Sequence, residues 1–218
     1  VDGLVGSEMC IRDRYFAPIA DEAEALDLAD MAIAREEKKI HESNWKILVE
    51  GGLESYHFKV AHRKTIGPYF EDNLSSYQML GDHMRSVLMR SSMYTLKDLP
   101  PSQWRLRDHA NIIYTFFPTT QLLVQQDHIV WINSRPISAT ETELRLVTLA
   151  PISRLEDDEY WEKNHRITSN TLNEDFVIGE SIQAGLATGA NEHMTFGRFE
   201  GALPEFNRVV KRYTSAQA

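Results

Sequence analysis

Ala110-Asn-Ile-Ile-Tyr-Thr-Phe-Phe117, Thr120-Gln-Leu-Leu-Val-Gln-Gln126, His128-Ile-Val-Trp-Ile-Asn-Ser134 and Glu143-Leu-Arg-Leu-Val-Thr-Leu-Ala150 are four runs rich in β-branched and aromatic residues. Such side chains fit a pleated, half-buried surface, and connections as short as Gln126-Asp127 join antiparallel neighbours. Upstream, Ser76–Leu80, His83–Arg90 and Ser91–Leu96 continue the pattern, divided by Gly81-Asp82 and closed by Pro100-Pro101. Together they predict an antiparallel sheet of about seven strands. Downstream, Leu155–Gly189 is the longest helical candidate: Glu156-Asp157-Asp158-Glu159 crowd its start, which suits the helix dipole, and Gly189 is a natural stop. Trp161, Ile167, Leu172, Phe176, Ile178, Ile182 and Leu186 recur near helical spacing, as expected of a stripe packed on the sheet. A terminal helix follows over Pro204–Tyr213, with Phe206, Val209 and Val210 on one face. One curved antiparallel sheet embraced by a long helix is an α+β, helix-grip (Bet v 1/START-like) arrangement.

The 218 residues, 42% hydrophobic, are enough for one substantial core. A formal charge of −9 argues against nucleic-acid binding, which needs clustered Lys and Arg to neutralise phosphates. No apolar run approaches 18 residues, so no membrane span is expected, and without a secretory signal the simplest setting is cytoplasmic. The single cysteine, Cys10, permits neither an intrachain disulfide nor a cysteine-ligated cluster. No Gly-x-Gly-x-x-Gly or Gly-Lys-Ser/Thr loop indicates a nucleotide site.

Ahead of the strands, Asp21–Ala34 reads as a polar connector, and Ala34–Ser43 as an edge strand or a solvated helix face. Trp45–His62 then reads as an amphipathic helix, with Gly51-Gly52 its weak point. It holds the densest chemistry in the chain. In a helix Glu54 and His57 share one face at i,i+3, and His62 can reach that face if the helix loosens. Two imidazoles with a carboxylate suit Fe, Zn or Cu and leave coordination positions open. Ordinary hydrogen bonding of two among eight histidines is the bland alternative. Far downstream, Asp175 sits in an apolar helical stretch, where an ionised carboxylate is costly unless paired or metal-bound.

The pattern Asn44-Trp45-Lys46, Glu50, Glu54-x2-His57-x4-His62, followed by Glu174-Asp175-x4-Glu180-x2-Gln183-x-Gly185-Leu186, resembles the alpha subunits of Rieske non-haem iron oxygenases, the aromatic-ring-hydroxylating dioxygenase family. The resemblance covers about residues 15–218, the catalytic half of such a subunit. It departs at Gly51-Gly52, where most members carry Asn after the first acid. It implies that His57, His62 and Asp175 bind Fe(II), and that Glu54 bridges to the Rieske cluster of a neighbouring subunit. It further implies a homotrimer when full length, acting on O2 and a small organic substrate with electrons from an NAD(P)H-dependent reductase or ferredoxin.

The family's Rieske domain, which holds a 2Fe-2S cluster on two Cys and two His, precedes the catalytic one, and its Cys-x-His … Cys-x2-His pair does not occur here. The expectation is therefore a chain lacking that domain and unable to turn over with reductase. Residues 1–14, ending Ser7-Glu8-Met9-Cys10-Ile11-Arg12-Asp13-Arg14, resemble a translated sequencing adapter and are set aside as non-native or disordered. The expected division is then a connector over 15–43 and a mononuclear iron domain over 44–218. Two other readings compete. One is a metal-free helix-grip carrier of an apolar small molecule. The other is a zinc hydrolase with Glu54 as general base, in which Glu54→Gln would stop the isolated chain, whereas in an oxygenase it would harm only electron delivery.

Overall fold

The computed structural model describes residues 12–191 and 193–215. Seven strands form a single antiparallel sheet. They are β1 (Met31–His41), β2 (Ser76–Leu80), β3 (His83–Met89), β4 (Ala110–Phe116), β5 (Thr120–Val124), β6 (Ile129–Pro136) and β7 (Thr142–Pro151), in the spatial order β1-β7-β6-β5-β4-β3-β2. All but one neighbouring pair are consecutive in sequence, as short connections require. The exception is β1, which crosses to the far edge and pairs with β7 from Met31↔Pro151 to His41↔Thr142.

Side-chain parity divides the sheet into two faces. In the register Ile113↔Leu123 and Tyr114↔Leu122, the first pair faces the long helix and the second faces the other way. There Tyr114, Leu122, Val124 and Ile129 pack under Ile19 and Leu26 of the segment before β1. On the first face lies α3 (Asp158–Ala187), whose Phe176 joins Leu48, Val130, Ile132, Leu144 and Leu146. Trp161 is fully buried near its start, donating Nε1–H to the Arg154 carbonyl at 2.7 Å. The terminal helix α4 (Ala202–Ser215) sets Phe206 and Val209 against Val49, Leu53, Met84 and Phe117.

Three expectations need correction. Ser91–Leu96 is not a strand: Ser91–Asp98 is a 3-10 helix. Met93 N–H bonds the Arg90 carbonyl and Thr95 Oγ1 bonds the Ser92 carbonyl, so local Ser/Thr bonding outcompetes the ladder. The seventh strand is instead β1, which takes in the last residues of the Asp21–Ala34 connector and most of Ala34–Ser43, the stretch read as an edge strand or a solvated helix face, and which is an edge strand. Its charged side chains serve the edge, with Arg35 paired to Asp158 and Glu162, and Glu36 to Arg145. The stretch Trp45–His62 is not one helix but two, α1 (Trp45–Glu50) and α2 (Phe58–Ala61), parted by a turn beginning at Gly51. Of the segment set aside at the N-terminus, residues 1–11 lie outside the described residues, while 12–14 open a helical turn that runs on to residue 16.

A polar knot ties the β5–β6 turn to the start of α3. Asp127 accepts from His128 Nδ1 at 2.8 Å, Arg154 Nη1 at 2.8 Å and the Tyr160 hydroxyl at 2.7 Å. Burial opposes the carboxylate, but these bonds outweigh it and hold Asp127 down at about 2, against 3.8 for an ordinary aspartate. A depressed carboxylate contributes stability above its unfolded pKa and loses it as pH falls through the folded one. We expect Asp127→Asn to cost about 1 kcal/mol at pH 7, after discounting for solvent screening. The difference from wild type should vanish between pH 4 and 2 in urea melts, and a constant difference over that range would refute the assignment.

Candidate metal centre

Each candidate side chain is placed by local chemistry. Asn44 caps α1, accepting from Lys46 N–H at 3.0 Å. The helix ends at Gly51, and at Gly52 an added Cβ would sit 2.8 Å from Gln121 Nε2, so the second glycine lets the turn lie against β5. Leu53 is buried and Phe58 packs edge-on against Phe70, which holds the turn and α2 on the sheet. His57 and His62 flank α2 as its N-cap and C-cap. Gly67 closes this unit: its N–H bonds the His62 carbonyl at 2.9 Å, and a Cβ there would lie 2.6 Å from the Phe58 carbonyl oxygen.

Helix α3 delivers Glu174 and Asp175. The rest of its motif fixes the helix in place: Glu180 pairs with His41 Nδ1 at 3.2 Å and Gln183 accepts from Asn44 N–H at 3.0 Å. Gly179 lets Ile47 approach to 3.3 Å from where a Cβ would stand.

The result is a convergence of His57, His62 and Asp175, each presenting one ligand atom, all within 4.8 Å of one another. Asp175 Oδ1 lies 2.9 Å from His62 Nε2 and 3.4 Å from His57 Nε2. These approaches are ill-directed for hydrogen bonds, and both buried Nε2 atoms lack one. The opposite nitrogens are firmly held: His57 Nδ1 meets Glu54 Oε1 at 2.5 Å, and His62 Nδ1 meets Glu174 Oε2 at 2.6 Å. Glu54 also accepts the Tyr56 amide, and Glu174 the Thr65 hydroxyl at 2.8 Å.

Burial works against charge on His57, but the Asp175 and Glu54 carboxylates outweigh it and lift the imidazole to about 9. His62 is likewise raised, against its burial, by Asp175 and Glu174. Asp175 is held below the usual carboxylate range, the two imidazoles overcoming its own burial. Two imidazole Nε2 atoms turned toward one carboxylate, each ring braced from behind by another carboxylate, form a donor set that fits a divalent cation, which binds the neutral rings and takes the place of their protons.

All four residues singled out from the sequence, Glu54, His57, His62 and Asp175, thus meet at one place. Glu174 was missed as a participant. Its adjacency to Asp175 was the available signal, since neighbouring helical positions can serve two neighbouring groups.

The centre lies in the wall of a cavity of about 520 Å³ between sheet and α3, lined mainly by apolar residues such as Leu88, Ile113, Leu123, Ile132 and Phe176. Large aromatics of the strands and of the loop before β4 do not line it. Tyr114, Phe116 and Trp131 have the parity of Leu122 and face the opposite side. Trp104 donates to the Leu96 and Leu99 carbonyls from an exposed loop. Arg90 reaches the cavity, whereas Arg145 pairs with Glu36. No helix among the described residues is long and apolar enough to cross a membrane.

Comparison with known proteins gives the family and the fold. The family model described as ring hydroxylating alpha subunit (catalytic domain) matches residues 29–216. No curated protein sequence matches. Among solved structures, a quaternary ammonium Rieske monooxygenase in complex with an inhibitor aligns with a TM-score of 0.68 at 18% identity, over 91% of this chain and 55% of that one. Naphthalene 1,2-dioxygenase from Rhodococcus sp. bound to indole aligns with a TM-score of 0.66 at 12% identity, over 94% and 62%. Dicamba monooxygenase bound to 3,6-dichlorosalicylic acid aligns with a TM-score of 0.62 at 11% identity, over 84% and 59%. The chain therefore spans less than two thirds of the length of these structures.

Proposed function

This chain belongs to the family of ring hydroxylating alpha subunit catalytic domains, and from that premise we propose that His57, His62 and Asp175 hold a ferrous ion that oxidises a small organic substrate in the adjoining cavity. The observation that carries the reading is the convergence of their three ligand atoms in a mainly apolar cavity wall. Bound there, iron supplies the capacity to activate O2. The remaining work falls to the protein. Glu54 and Glu174 accept from the Nδ1–H groups, fixing the tautomers whose bare Nε2 atoms face Asp175. Leu88, Ile113, Leu123 and Ile132 keep bulk water from the reacting end of a substrate.

In this proposal electrons arrive from a Rieske 2Fe-2S cluster carried outside this domain, on a neighbouring subunit of a trimer, and ultimately from NAD(P)H through a reductase or ferredoxin in the cytoplasm. Glu54, bonded to His57 and nearly buried, is the carboxylate placed to bridge that cluster to the metal centre. The domain that does this begins with β1 rather than at residue 44, because β1 is the edge of the same sheet.

A metal-free carrier gives no reason for two imidazole nitrogens and a carboxylate oxygen to gather within 4.8 Å of one another. A zinc hydrolase would need Glu54 free as a base, whereas its carboxylate is taken up by His57 and the Tyr56 amide.

Hydrogen peroxide brings both the oxygen atom and the two electrons that hydroxylation consumes, leaving water, so it tests the centre without a cluster. The iron-loaded chain given peroxide and a panel of small arenes and aryl ethers is expected to yield hydroxylated or dealkylated product by mass spectrometry. The iron-free chain is expected to yield none. Identical background from both would contradict the oxygenase reading.

A further inference from the structure

At the other end of the cavity the wall changes character. Arg90, just past the end of β3, turns its guanidinium inward, where Nε and Nη2 donate to Asn111 Oδ1 at 3.2 and 2.8 Å and the cation lies 5.5 Å from the centre of the Phe70 ring. Asn111 is buried, and one step along the β4–β5 ladder from Ile112↔Val124 lies Gln125, whose Nε2 reaches Thr168 Oγ1 at 3.5 Å. Arg90, Asn111, Gln125 and Thr168 all line the cavity.

A guanidinium removed from water is costly unless a negative charge meets it. Several other arginines of this chain have such partners: Arg35 has Asp158 and Glu162, Arg145 has Glu36, and Arg154 has Asp127 and Asp157, and those without one can keep their charge in water, which Arg90, turned into the cavity wall, does less well. Among the described residues Arg90 has no carboxylate at all; its partners are a neutral amide oxygen and an aromatic face. Consistently, burial alone acts on it, pulling its pKa below that of a free arginine. Asn111 engages two of its donors, and the fork has others left for a second, bidentate acceptor.

We propose that the cavity takes an organic acid, its carboxylate held by Arg90 and its apolar body lying along Leu88, Ile113 and Leu123 toward the metal centre. The spacing suits a small ligand. Thr168, at the polar end, and Asp175 are seven residues apart on α3, so the cavity runs for roughly 10 Å along the helix between them. That is about the length of a phenylpropionate or a medium-chain fatty acid. A quaternary amine would instead set its positive charge against Arg90. What becomes of the acid rests on the oxygenase reading above; that the acid binds does not.

The test is calorimetric titration of the metal-free 218-residue chain with three molecules that share one body: 3-phenylpropionate, 3-phenylpropan-1-ol and 3-phenylpropylamine. Benzoate and octanoate extend the acid series. We expect at least one acid to bind about tenfold or more tightly than its neutral counterpart, with the amine weakest. Arg90→Met should remove that preference while leaving the alcohol's affinity unchanged. The control matters because His57 could itself attract an acid, and only dependence on Arg90 assigns the anion to this end. Should Arg90→Met fold poorly, Asn111→Asp supplies the missing carboxylate beside Arg90; it should raise the melting temperature and abolish the acid preference. Equal binding of acid and alcohol, preference for the amine, or an acid preference that survives Arg90→Met would each overturn the proposal. So would a failure of every acid to bind. Iron content measured on the same preparation separates the two readings: acid binding without iron leaves the anion site standing, and iron without acid preference leaves only the metal centre.

Discussion

Asp175→Ala is expected to lose Fe(II) by more than about a hundredfold in affinity, since even partners that only orient a ligand account for 10–100-fold in metal sites. Asp175 supplies the one negative charge among the three ligand atoms, and its Oδ1 is the atom on which both Nε2 groups converge. Without it, two neutral imidazoles remain, too weak a set to hold a labile ferrous ion through gel filtration. The helix itself should stay in place, because Phe176 is buried beside it and Glu180 and Gln183 tie α3 to His41 and Asn44. Circular dichroism should therefore report an unchanged fold while elemental analysis reports an empty site. Retention of stoichiometric iron by the variant would remove Asp175 from the centre.

Glu174→Ala is the second large effect, and it separates orientation from ligation. Glu174 offers no atom to the cluster, yet its Oε2 accepts from His62 Nδ1 at 2.6 Å and from the Thr65 hydroxyl at 2.8 Å. Removing it frees the His62 ring to rotate or change tautomer, and strands a buried donor. Iron affinity, read by competition with a chelator, should fall roughly 10–100-fold while saturation remains attainable at high iron. Thermal stability of the metal-free chain should fall by about 1–3 kcal/mol, the usual consequence of an unsatisfied buried polar group. Glu174→Gln, which keeps an acceptor oxygen, should show most of neither loss. If Glu174→Ala bound iron as tightly as wild type, the bracing of His62 would be irrelevant to the metal.

The grouping of Glu54, His57, His62 and Asp175 could be anticipated from the sequence because the pattern resembles a known family, and its parts are also chemically conspicuous. His57 and His62 stand close together, and Asp175 is a carboxylate in an apolar helical run that needs a reason to be there. The four central strands were legible for a comparable reason: β-branched and aromatic runs have few other uses. What escaped depended on tertiary context. Ala34–Ser43 could be read as an edge strand or a helix face, but that it is a strand, starts at Met31 and pairs with β7 is settled only by the sheet. Ser91–Leu96 carries residues common in strands, but its hydroxyls satisfy the backbone locally and the ladder never forms. Gly51-Gly52 was visible as a weak point, yet not as a place where Gln121 crowds the chain so closely that the helix must stop.

Parity explains the pocket. Once Ile113 is known to face the cavity, alternation sends Tyr114 and Phe116 to the far side, and the ladder carries that assignment through Leu122 to Trp131. A sequence reading had the alternation but no residue to anchor it, so which strand residues face the cavity could not be read in advance.

The most direct measurement is anaerobic Fe(II) loading of the wild-type chain, with iron quantified and its nitric oxide adduct examined by electron spin echo spectroscopy for imidazole nitrogen couplings. The account predicts stoichiometric iron carrying couplings from two histidines, with one of them lost in His57→Ala and one in His62→Ala. Well-folded protein that binds no iron, or iron whose adduct shows no histidine coupling, would contradict it.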